Sequence, residues 1–272
     1  MESNSPRLDE ARSVSRWRWG IHLALITLYL VLLLLIGLGR KVVHPALSHT
    51  AKGLVVVCAL ELLSFGLVFA LAWLASRASA DDLLLRWRGK VTPVLLGAAY
   101  SVGLRLGIGL AAVAVAVILL VSRAMTLDSL QTFAQKNQPG VDKVVDVAAL
   151  RDNPAYYWMA LTIVSFLVGG LREELWRSSF LAGMKRLWPG LFGSLAGQIG
   201  AVVIAALIFG AAHLSMGILA AGMAGLIGLG LGLIMVFHRS IWPAVFAHGF
   251  FDCTSMALIP WAFEMMQRLP KH

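Results

Sequence analysis

Residues 217–237 read GILAAGMAGLIGLGLGLIMVF, an uninterrupted apolar stretch without a charged side chain. A helix needs about 20 apolar residues to cross the roughly 30 Å hydrocarbon core of a bilayer, and this stretch has that length. The whole chain has the same character, because 59% of its 272 residues are hydrophobic and only 14% are charged. A soluble domain usually carries about 25% charged residues. The sequence therefore predicts an integral, multi-pass membrane protein embedded in the lipid bilayer.

Further apolar runs lie on both sides of this stretch. They cover residues 21–39, 53–74, 92–122, 156–183, 197–214 and 241–263. Backbone groups that meet no water must pair with each other, which leaves helices or closed barrels, and the ten-residue alternation of a membrane barrel is absent. We predict an all-α, polytopic transmembrane helical bundle of about seven spans, or eight if the long run at 92–122 turns back on itself.

Polar segments divide the chain into three parts. We predict a polar cytoplasmic tail at 1–19, N-terminal membrane helices at 20–155 with a polar loop at 123–155, and a transmembrane core at 156–263 that holds the ionisable motifs. Lysines and arginines of the tail, of residues 77–90 and of later loops fall on one side, so the positive-inside rule places the N-terminus in the cytoplasm. The formal net charge of +9 fits such loops. Nucleic acid is not expected as a partner, because no basic patch interleaves with aromatic residues.

Seven ionisable side chains lie inside the predicted spans, where they are costly and usually mark a functional site. Glu61 and Arg105 are interpreted as an ion pair that links the second and third spans. His22, at the start of the first span, is interpreted as an interfacial residue. The seven are Glu61, Arg105, Glu173, Glu174, His213, His248 and Asp252.

A glutamate pair occupies residues 169–177, which read GGLREELWR. Two adjacent carboxylates in an apolar environment cannot both ionise cheaply, and a purely structural ion pair does not need two. Arg177 follows Glu173 by four residues and therefore lies on the same helical face. We predict that Arg177 contacts and orients Glu173, which leaves Glu174 as the freer carboxylate and the slightly favoured base.

Two histidines and an aspartate lie on two later spans. His213 follows Phe209 by four residues, and His248 and Asp252 are also four apart, so that the last two share a helix face. Inward side chains from successive helices can meet in one polar cavity. Because only such convergence offsets the cost of several ionisable groups in lipid, we predict a single cavity lined by both histidines and both glutamates.

The order of these motifs resembles the CAAX-protease and bacteriocin-processing (CPBP) family of intramembrane proteases, which includes Rce1-type endoproteases. The similarity covers about residues 156–260 and consists of Glu-Glu…Arg, then Phe-x-x-x-His, then His-x-x-x-Asp. It implies an intramembrane endopeptidase of a prokaryotic plasma membrane that acts on a peptide or protein substrate, either prenylated or membrane-associated. The residues with implied catalytic roles are Glu173, Glu174, His213, His248 and Asp252, and Arg177 has an implied orienting role.

One spacing departs from the family pattern. The family usually places its arginine five residues after the first glutamate, whereas Arg177 follows Glu173 by four. Alignment on Trp176 and Arg177 would put Arg172 at the place of the first glutamate and leave Glu173 as the second. Both assignments of the catalytic base, Glu173 and Glu174, therefore stay open at this point.

The resemblance implies hydrolysis by a water molecule that a glutamate activates beside His213, while His248 and Asp252 lie where charge develops on the carbonyl oxygen. No cofactor is expected. The alternative is zinc held by Glu174, His213 and His248, although the compact His-Glu-x-x-His signature is absent. Two other functions remain open. One is a non-catalytic membrane factor that binds a peptide or lipid in the same pocket; the other is a transporter, against which the lack of an internal repeat counts.

Overall fold

The computed structural model describes residues 15–39 and 48–268, and the regular secondary structure in these residues is helical. Most of the predicted tail at 1–19 lies outside the described residues. The longer helices are α1 (Arg16–Gly39), α2 (Ala51–Ser76), α3 (Thr92–Val121), α4 (Leu127–Lys136), α5 (Pro154–Leu187), α6 (Leu195–Ala212), α7 (Ile218–His238) and α8 (Trp242–Arg268).

Six of the described helices are long and apolar enough to cross a membrane, namely α1 as far as Ile36, α2, α3, α5, α6 and α7. The last predicted span corresponds to α8, which is 27 residues long but less apolar than these six, in part because it carries His248 and Asp252. Helix α3 is one continuous helix of 30 residues, so the run at 92–122 does not turn back on itself. The predicted all-α polytopic bundle is confirmed, with α8 as its seventh long helix in the described part.

Short polar side chains cap several of the membrane helices. Thr50 and Ser194 accept hydrogen bonds from the backbone N–H groups of Gly53 and Gly197, at 3.1 Å each, where α2 and α6 begin. The first N–H groups of a helix have no partner within it, so these caps satisfy groups that would otherwise be unpaired. The caps therefore fix the residues at which the chain enters the spans.

Helix α5 is the centre of the bundle and packs against α1, α2, α6 and α8. Its middle part, Ala160–Arg172, is a π-helix, in which each backbone hydrogen bond reaches one residue further than in an α-helix. Such turns are rare and frequently occur at functional sites. Ser165 follows the same spacing, since its hydroxyl donates to the Ala160 carbonyl oxygen five residues earlier at 2.8 Å.

Two glycines near the end of the π-helix allow α8 to lie against α5. A β-carbon at Gly170 would lie 2.9 Å from the Val245 carbonyl oxygen, and one at Gly169 would collide with the carboxylate of Asp252. Glycine is the residue that permits such a close approach. The pair therefore brings the polar face of α8 next to residues 172–174.

The polar connection after α3 is attached to the rest of the bundle. It contains α4 and a short helix, Val147–Asp152. The Gly140 N–H donates to the Met216 carbonyl oxygen at 2.9 Å, and Lys143 Nζ donates to the Ser215 carbonyl oxygen at 3.2 Å. These bonds hold the connection against the turn between α6 and α7.

His22 lies inside the bundle, so its interpretation as an interfacial residue is wrong. Its side chain is fully buried, and its two ring nitrogens lie 2.9 Å and 3.1 Å from the carbonyl oxygens of Ala72 and Ser179. A buried polar group costs free energy unless it is hydrogen-bonded, and a ring N–H of His22 can donate to either of these carbonyls. His22 thus links α1 to α2 and α5.

The predicted pair of Glu61 and Arg105 is also wrong. Arg105 donates from Nη1 to the Ser101 carbonyl oxygen on its own helix at 3.1 Å and from Nη2 to the Phe251 carbonyl oxygen on α8. Its guanidinium carbon lies 4.2 Å from the centre of the Phe251 ring. Arg105 therefore joins α3 to α8, and Glu61 reaches a different arginine on α5.

Candidate active site

Three helices bring the predicted site residues together. Glu173 and Glu174 begin the α-helical second half of α5, directly after the π-helix. His213 caps the C-terminal end of α6, and His248 and Asp252 lie one turn apart on α8. Residues from three separate spans thus meet in one region of the bundle.

Glu174 and Arg177 form a fully buried ion pair. Their side chains have no exposed surface, and Arg177 Nη1 contacts Glu174 Oε1. The same oxygen lies 2.9 Å from His248 Nδ1, and the Arg177 guanidinium carbon lies 4.8 Å from the centre of the Phe209 ring. A carboxylate held by a cation and an imidazole inside the packed interior is fixed in position and has no access to a substrate.

Glu173 lies in a different environment. Its side chain keeps 18% of its surface exposed, and its Oε1 accepts a hydrogen bond from Arg172 Nη2 at 2.9 Å. Arg172 also donates from Nη1 to Glu61 Oε2 on α2 at 2.8 Å. The second oxygen, Oε2, lies 3.8 Å from His248 Nε2. Glu173 is therefore held on one side by an anchored arginine, and its other oxygen lies toward His248.

The backbone of α6 orients His213. Its Nδ1 lies 2.8 Å from the Phe209 carbonyl oxygen, which can only accept a hydrogen bond, so Nδ1 carries the proton in this arrangement. The Phe209 and His213 rings are also in contact, with centroids 4.7 Å apart. When the ring is neutral, Nε2 then has a lone pair that can accept a hydrogen bond from a water molecule or a substrate group.

Two cavities meet at Glu173 and His213. The first, the α5–α8 cavity, has a volume of about 400 Å³ and reaches Asp252. The second, the α1–α2 cavity, has a volume of about 170 Å³ and is lined largely by apolar side chains of the first two helices. The lining residues from those helices are Tyr29, Leu30, Leu33, Leu34 and Phe65. The two walls share Arg172, Glu173, Phe209 and His213.

The predicted convergence is observed only in part. Glu173, His213 and Asp252 line the α5–α8 cavity, whereas Glu174 is buried behind it, so the prediction of one cavity lined by both glutamates is wrong. His248 lies between the two groups, with Nε2 3.6 Å from Asp252 Oδ2 and 3.8 Å from Glu173 Oε2. It therefore connects the buried ion pair with the carboxylates of the cavity.

Arg177 contacts Glu174 and not, as predicted, Glu173. Residues three apart and four apart both share a helix face, so the spacing alone could not choose between the two carboxylates. The arginine beside Glu173 is Arg172, the preceding residue. Arg177 thus orients Glu174, and the predicted division between a clamped Glu173 and a free Glu174 is reversed.

The residues predicted as alternative zinc ligands do not form a ligand set. Glu174 Oε1 is already in contact with Arg177 and His248, and His213 Nδ1 is bonded to the Phe209 carbonyl oxygen. Among the described residues, no three His, Cys, Asp or Glu side chains are grouped as a metal ion requires. The arrangement therefore does not fit zinc held by Glu174, His213 and His248.

Tyr29 is a site residue that the sequence reasoning missed. It lines the α1–α2 cavity together with Glu173 and His213. An ionisable side chain inside an apolar run is costly and indicates a functional site, whereas a tyrosine in such a run carries no comparable cost. Its position on the first span, far from the motifs in the chain, gave no further signal.

Comparison with protein families agrees with this geometry. Residues 154–254 match the family model Rce1-like, described as type II CAAX prenyl endopeptidase Rce1-like. The resemblance predicted from the motifs is confirmed, and the matched range contains all the candidate residues from Glu173 to Asp252. Together with the six apolar helices, the match supports an integral membrane peptidase with a membrane-associated peptide or protein substrate. Searches of the curated proteins and of the solved structures found no significant match.

Proposed function

We propose that this protein is an intramembrane endopeptidase in which Glu173, assisted by His213, activates the water molecule that hydrolyses a peptide bond. The observation that carries the proposal is the position of these two side chains at the junction of two cavities inside the bundle. The match of residues 154–254 to the Rce1-like CAAX endopeptidase family supports the same reaction. On this basis the substrate is a membrane-associated peptide or protein that is prenylated near its C-terminus.

Accessibility supports Glu173 over Glu174 as the base. A general base must lie within hydrogen-bond reach of the proton that it removes. Glu173 lines both cavities, whereas Glu174 has no exposed surface and one of its oxygens is occupied by Arg177 and His248. A water molecule in either cavity can reach only the first of the two carboxylates.

In the proposed reaction one water molecule is consumed. Glu173 takes a proton from the water while the water oxygen bonds to the carbonyl carbon of the scissile peptide. The same proton passes to the amide nitrogen as the C–N bond breaks, so that Glu173 acts first as base and then as acid. His213 orients the water by accepting its other hydrogen at Nε2.

His248 and Asp252 are assigned to the side on which the carbonyl oxygen becomes negative. The His248 ring is held by the hydrogen bond between Nδ1 and Glu174 Oε1 at 2.9 Å. Its Nε2 lies 3.6 Å from Asp252 Oδ2, next to the cavity. With both ring nitrogens protonated, a form that the surrounding carboxylates favour, Nε2–H is a preorganised donor that stabilises the oxyanion. Glu174 then acts as a positioning residue through His248.

Basic residues support a cytoplasmic location for the end of the bundle at which α1 begins. Arg16 Nη2 donates to the Leu187 carbonyl oxygen at 2.6 Å and Arg88 Nε to the Arg239 carbonyl oxygen at 3.3 Å, so the ends of several spans meet there. Cytoplasmic loops carry an excess of lysine and arginine. The basic residues at this end are Arg16, Arg18, Arg77, Arg86, Arg88, Lys90, Lys185, Arg186 and Arg239.

A cleavage assay on the purified protein in liposomes tests the proposal. The probe is an internally quenched peptide that ends in a CAAX sequence, with and without a farnesyl group on the cysteine. We expect cleavage of the farnesylated peptide, identified by mass spectrometry of both products. His213→Ala should reduce turnover by about 10²-fold or more, whereas His238→Ala, which removes a histidine bonded to Tyr100 outside both cavities, should not.

Two outcomes of this assay would change the proposal. If a chelator abolishes cleavage and zinc restores it, the reaction depends on a metal and the roles of Glu173 and His213 must be reassigned. If the wild-type protein binds the peptide but does not cleave it, a non-catalytic peptide-binding factor is the better description.

A further inference from the structure

We infer that the Tyr29 hydroxyl donates a hydrogen bond to a backbone carbonyl of the substrate peptide bound in the α1–α2 cavity, an inference that rests on the proposed function. Tyr29 would then be a substrate-binding residue supplied by the first span. This role lies outside the region of the chain that matches the peptidase family, which begins at residue 154.

The Tyr29 hydroxyl is buried and lacks a partner. Its oxygen is one of the few buried side-chain polar atoms for which the described part of the chain provides no hydrogen bond. Most buried polar groups are hydrogen-bonded, so a specific exception calls for an explanation. A ligand that completes the bond is one such explanation, because Tyr29 lines a cavity while its ring packs against the buried cluster that contains Phe65.

Packing of the ring does not explain why residue 29 carries a hydroxyl group. The Tyr29 ring lies against Phe65, with centroids 5.3 Å apart, and a phenylalanine would make the same contact. Leaving a buried hydroxyl unpaired costs free energy relative to an apolar side chain. The phenol therefore becomes favourable at this position when an acceptor is bound.

Other hydrogen-bond donors in the same wall are already engaged. Trp176 Nε1 donates to the Ile26 carbonyl oxygen at 3.2 Å. The terminal nitrogens of Arg172 donate to Glu61 and Glu173, and His213 Nδ1 is bonded to its own helix. Among the described residues of this wall, the Tyr29 hydroxyl is thus the buried donor that is left for a ligand.

A peptide brings the matching acceptor. Each of its carbonyl oxygens loses its water when it enters an apolar cavity and then needs a donor. The remaining wall of the cavity consists of leucine and aromatic side chains, which accommodate an aliphatic side chain but cannot pair a carbonyl. A hydrogen bond from Tyr29 would fix the peptide in register, with the neighbouring peptide bond beside Glu173.

Binding and kinetics of Tyr29→Phe test this inference. Affinity for a fluorescent farnesylated CAAX peptide is measured in the Glu173→Gln background, in which the peptide is not cut, with and without Tyr29→Phe. We expect the dissociation constant to rise about tenfold, as for the loss of one buried hydrogen bond. In the otherwise wild-type protein, Tyr29→Phe should raise KM by a similar factor and leave kcat nearly unchanged.

The matched control is Tyr100→Phe, which also removes one phenol hydroxyl. That hydroxyl is bonded to His238 Nε2 at 2.8 Å, and Tyr100 does not line the α1–α2 cavity. We expect unchanged peptide affinity for this variant. Thermal unfolding of both variants verifies that the helices are intact, and the preserved ring of Tyr29→Phe should keep the packing on Phe65.

A modified substrate makes the test specific to the carbonyl. Peptides in which single amide carbonyls near the cleavage site are replaced by methylene groups should bind more weakly to the parent protein at one position. At that position, Tyr29→Phe should cause no additional loss. Unchanged affinity of Tyr29→Phe for the unmodified peptide, or equal additional losses with every modified peptide, would overturn the inference. The proposed reaction would still stand if the wild-type protein cleaves the peptide.

Discussion

Glu173 and Glu174 are neighbours in the chain but belong to different parts of the molecule. Successive side chains on an α-helix point about 100° apart, so one carboxylate turns toward the cavities and the other toward packed helices. The exposed fraction of the side chain is 18% for Glu173 and 0% for Glu174. Two identical adjacent residues can therefore have different roles: one is accessible from the cavities, and the other positions neighbouring side chains.

His248 connects the two carboxylates. Its Nδ1 is bonded to Glu174 Oε1, and its Nε2 lies 3.8 Å from Glu173 Oε2. A change at the buried residue can therefore reach the cavity through the imidazole ring. Turnover and the free energy of unfolding, measured on the same variants, separate the contributions of the two glutamates.

Loss of the accessible carboxylate should have the largest effect. Glu173→Gln keeps the shape of the side chain but cannot accept a proton, so turnover should fall about 10²–10⁴-fold. The free energy of unfolding should change little, because Arg172 remains paired with Glu61. Cleavage of the CAAX peptide and denaturant titration of the same preparation check both expectations. Wild-type turnover in this variant would assign the base elsewhere, first to Glu174.

Loss of the buried carboxylate should act mainly on stability. Glu174→Gln leaves Arg177 fully buried without its counter-charge, and breaking one partner of a buried pair costs about 3–5 kcal/mol of unfolding free energy. Replacing both partners, Glu174→Gln with Arg177→Met, should recover much of this loss because no unpaired charge remains. Unfolding free energies of the three proteins provide the measurement. A single variant as stable as Glu173→Gln would contradict the division between the two carboxylates.

The helices and part of the site could be predicted from sequence, because lipid imposes strict rules on both. Runs of about 20 apolar residues correspond to the observed spans, including the long run that forms α3. The cost of ionisable groups in such runs selected Glu173, His213 and Asp252, all of which line the α5–α8 cavity. In these cases one physical constraint left few alternatives.

Choices between nearly equivalent geometries could not be predicted. Arg177 could reach a carboxylate either three or four residues away, and the structure pairs it with the nearer one. Glu61 was predicted to meet Arg105 on α3, but α2 packs against α5, and Glu61 meets Arg172 there. The apolar run that predicted this span does not distinguish the π-helix before Glu173 from an α-helix. Tyr29 is uncharged, so its place in an apolar run gave no indication that it belongs to a site.

Disturbing the close approach of α8 to α5 should have an effect of intermediate size on stability. Gly169→Ala places a β-carbon against the carboxylate of Asp252, and such overpacking costs about 1–3 kcal/mol. Because Asp252 contacts His248, turnover should fall as well. The control is Gly103→Ala on α3, where a β-carbon would have no atom within 4 Å. Equal unfolding free energies for the two variants would show that the close approach of α8 to α5 does not stabilise the arrangement of Glu173 and Glu174.

A carboxylate outside the membrane serves as a reference for the effects of replacing Glu173 and Glu174. Asp146 lies in the polar connection and has 18% of its side chain exposed, the same fraction as Glu173. Its Oδ1 accepts from the Ala149 N–H at 2.9 Å, which caps the short helix that follows, and its Oδ2 lies 2.5 Å from His49 Nδ1. Water is available here, so charge should matter less than in the bundle.

Asp146→Ala should therefore have the smallest effect, about 1 kcal/mol for a lost helix cap. The hydrogen bond from Ala149, followed by the contact with His49, lowers the pKa of Asp146 from its ordinary value. A carboxyl with a lowered pKa contributes its full stability above its unfolded pKa, and this contribution is lost as the pH falls through the folded value. The difference in unfolding temperature between wild type and variant should therefore be constant near neutral pH and shrink below about pH 4.

Asp146→Asn retains the cap and should recover most of the stability at neutral pH. A difference that persists undiminished in acid would mean that the charge of Asp146 contributes nothing. A loss of turnover in Asp146→Ala would mean that a carboxylate that lines neither cavity is also needed for the reaction.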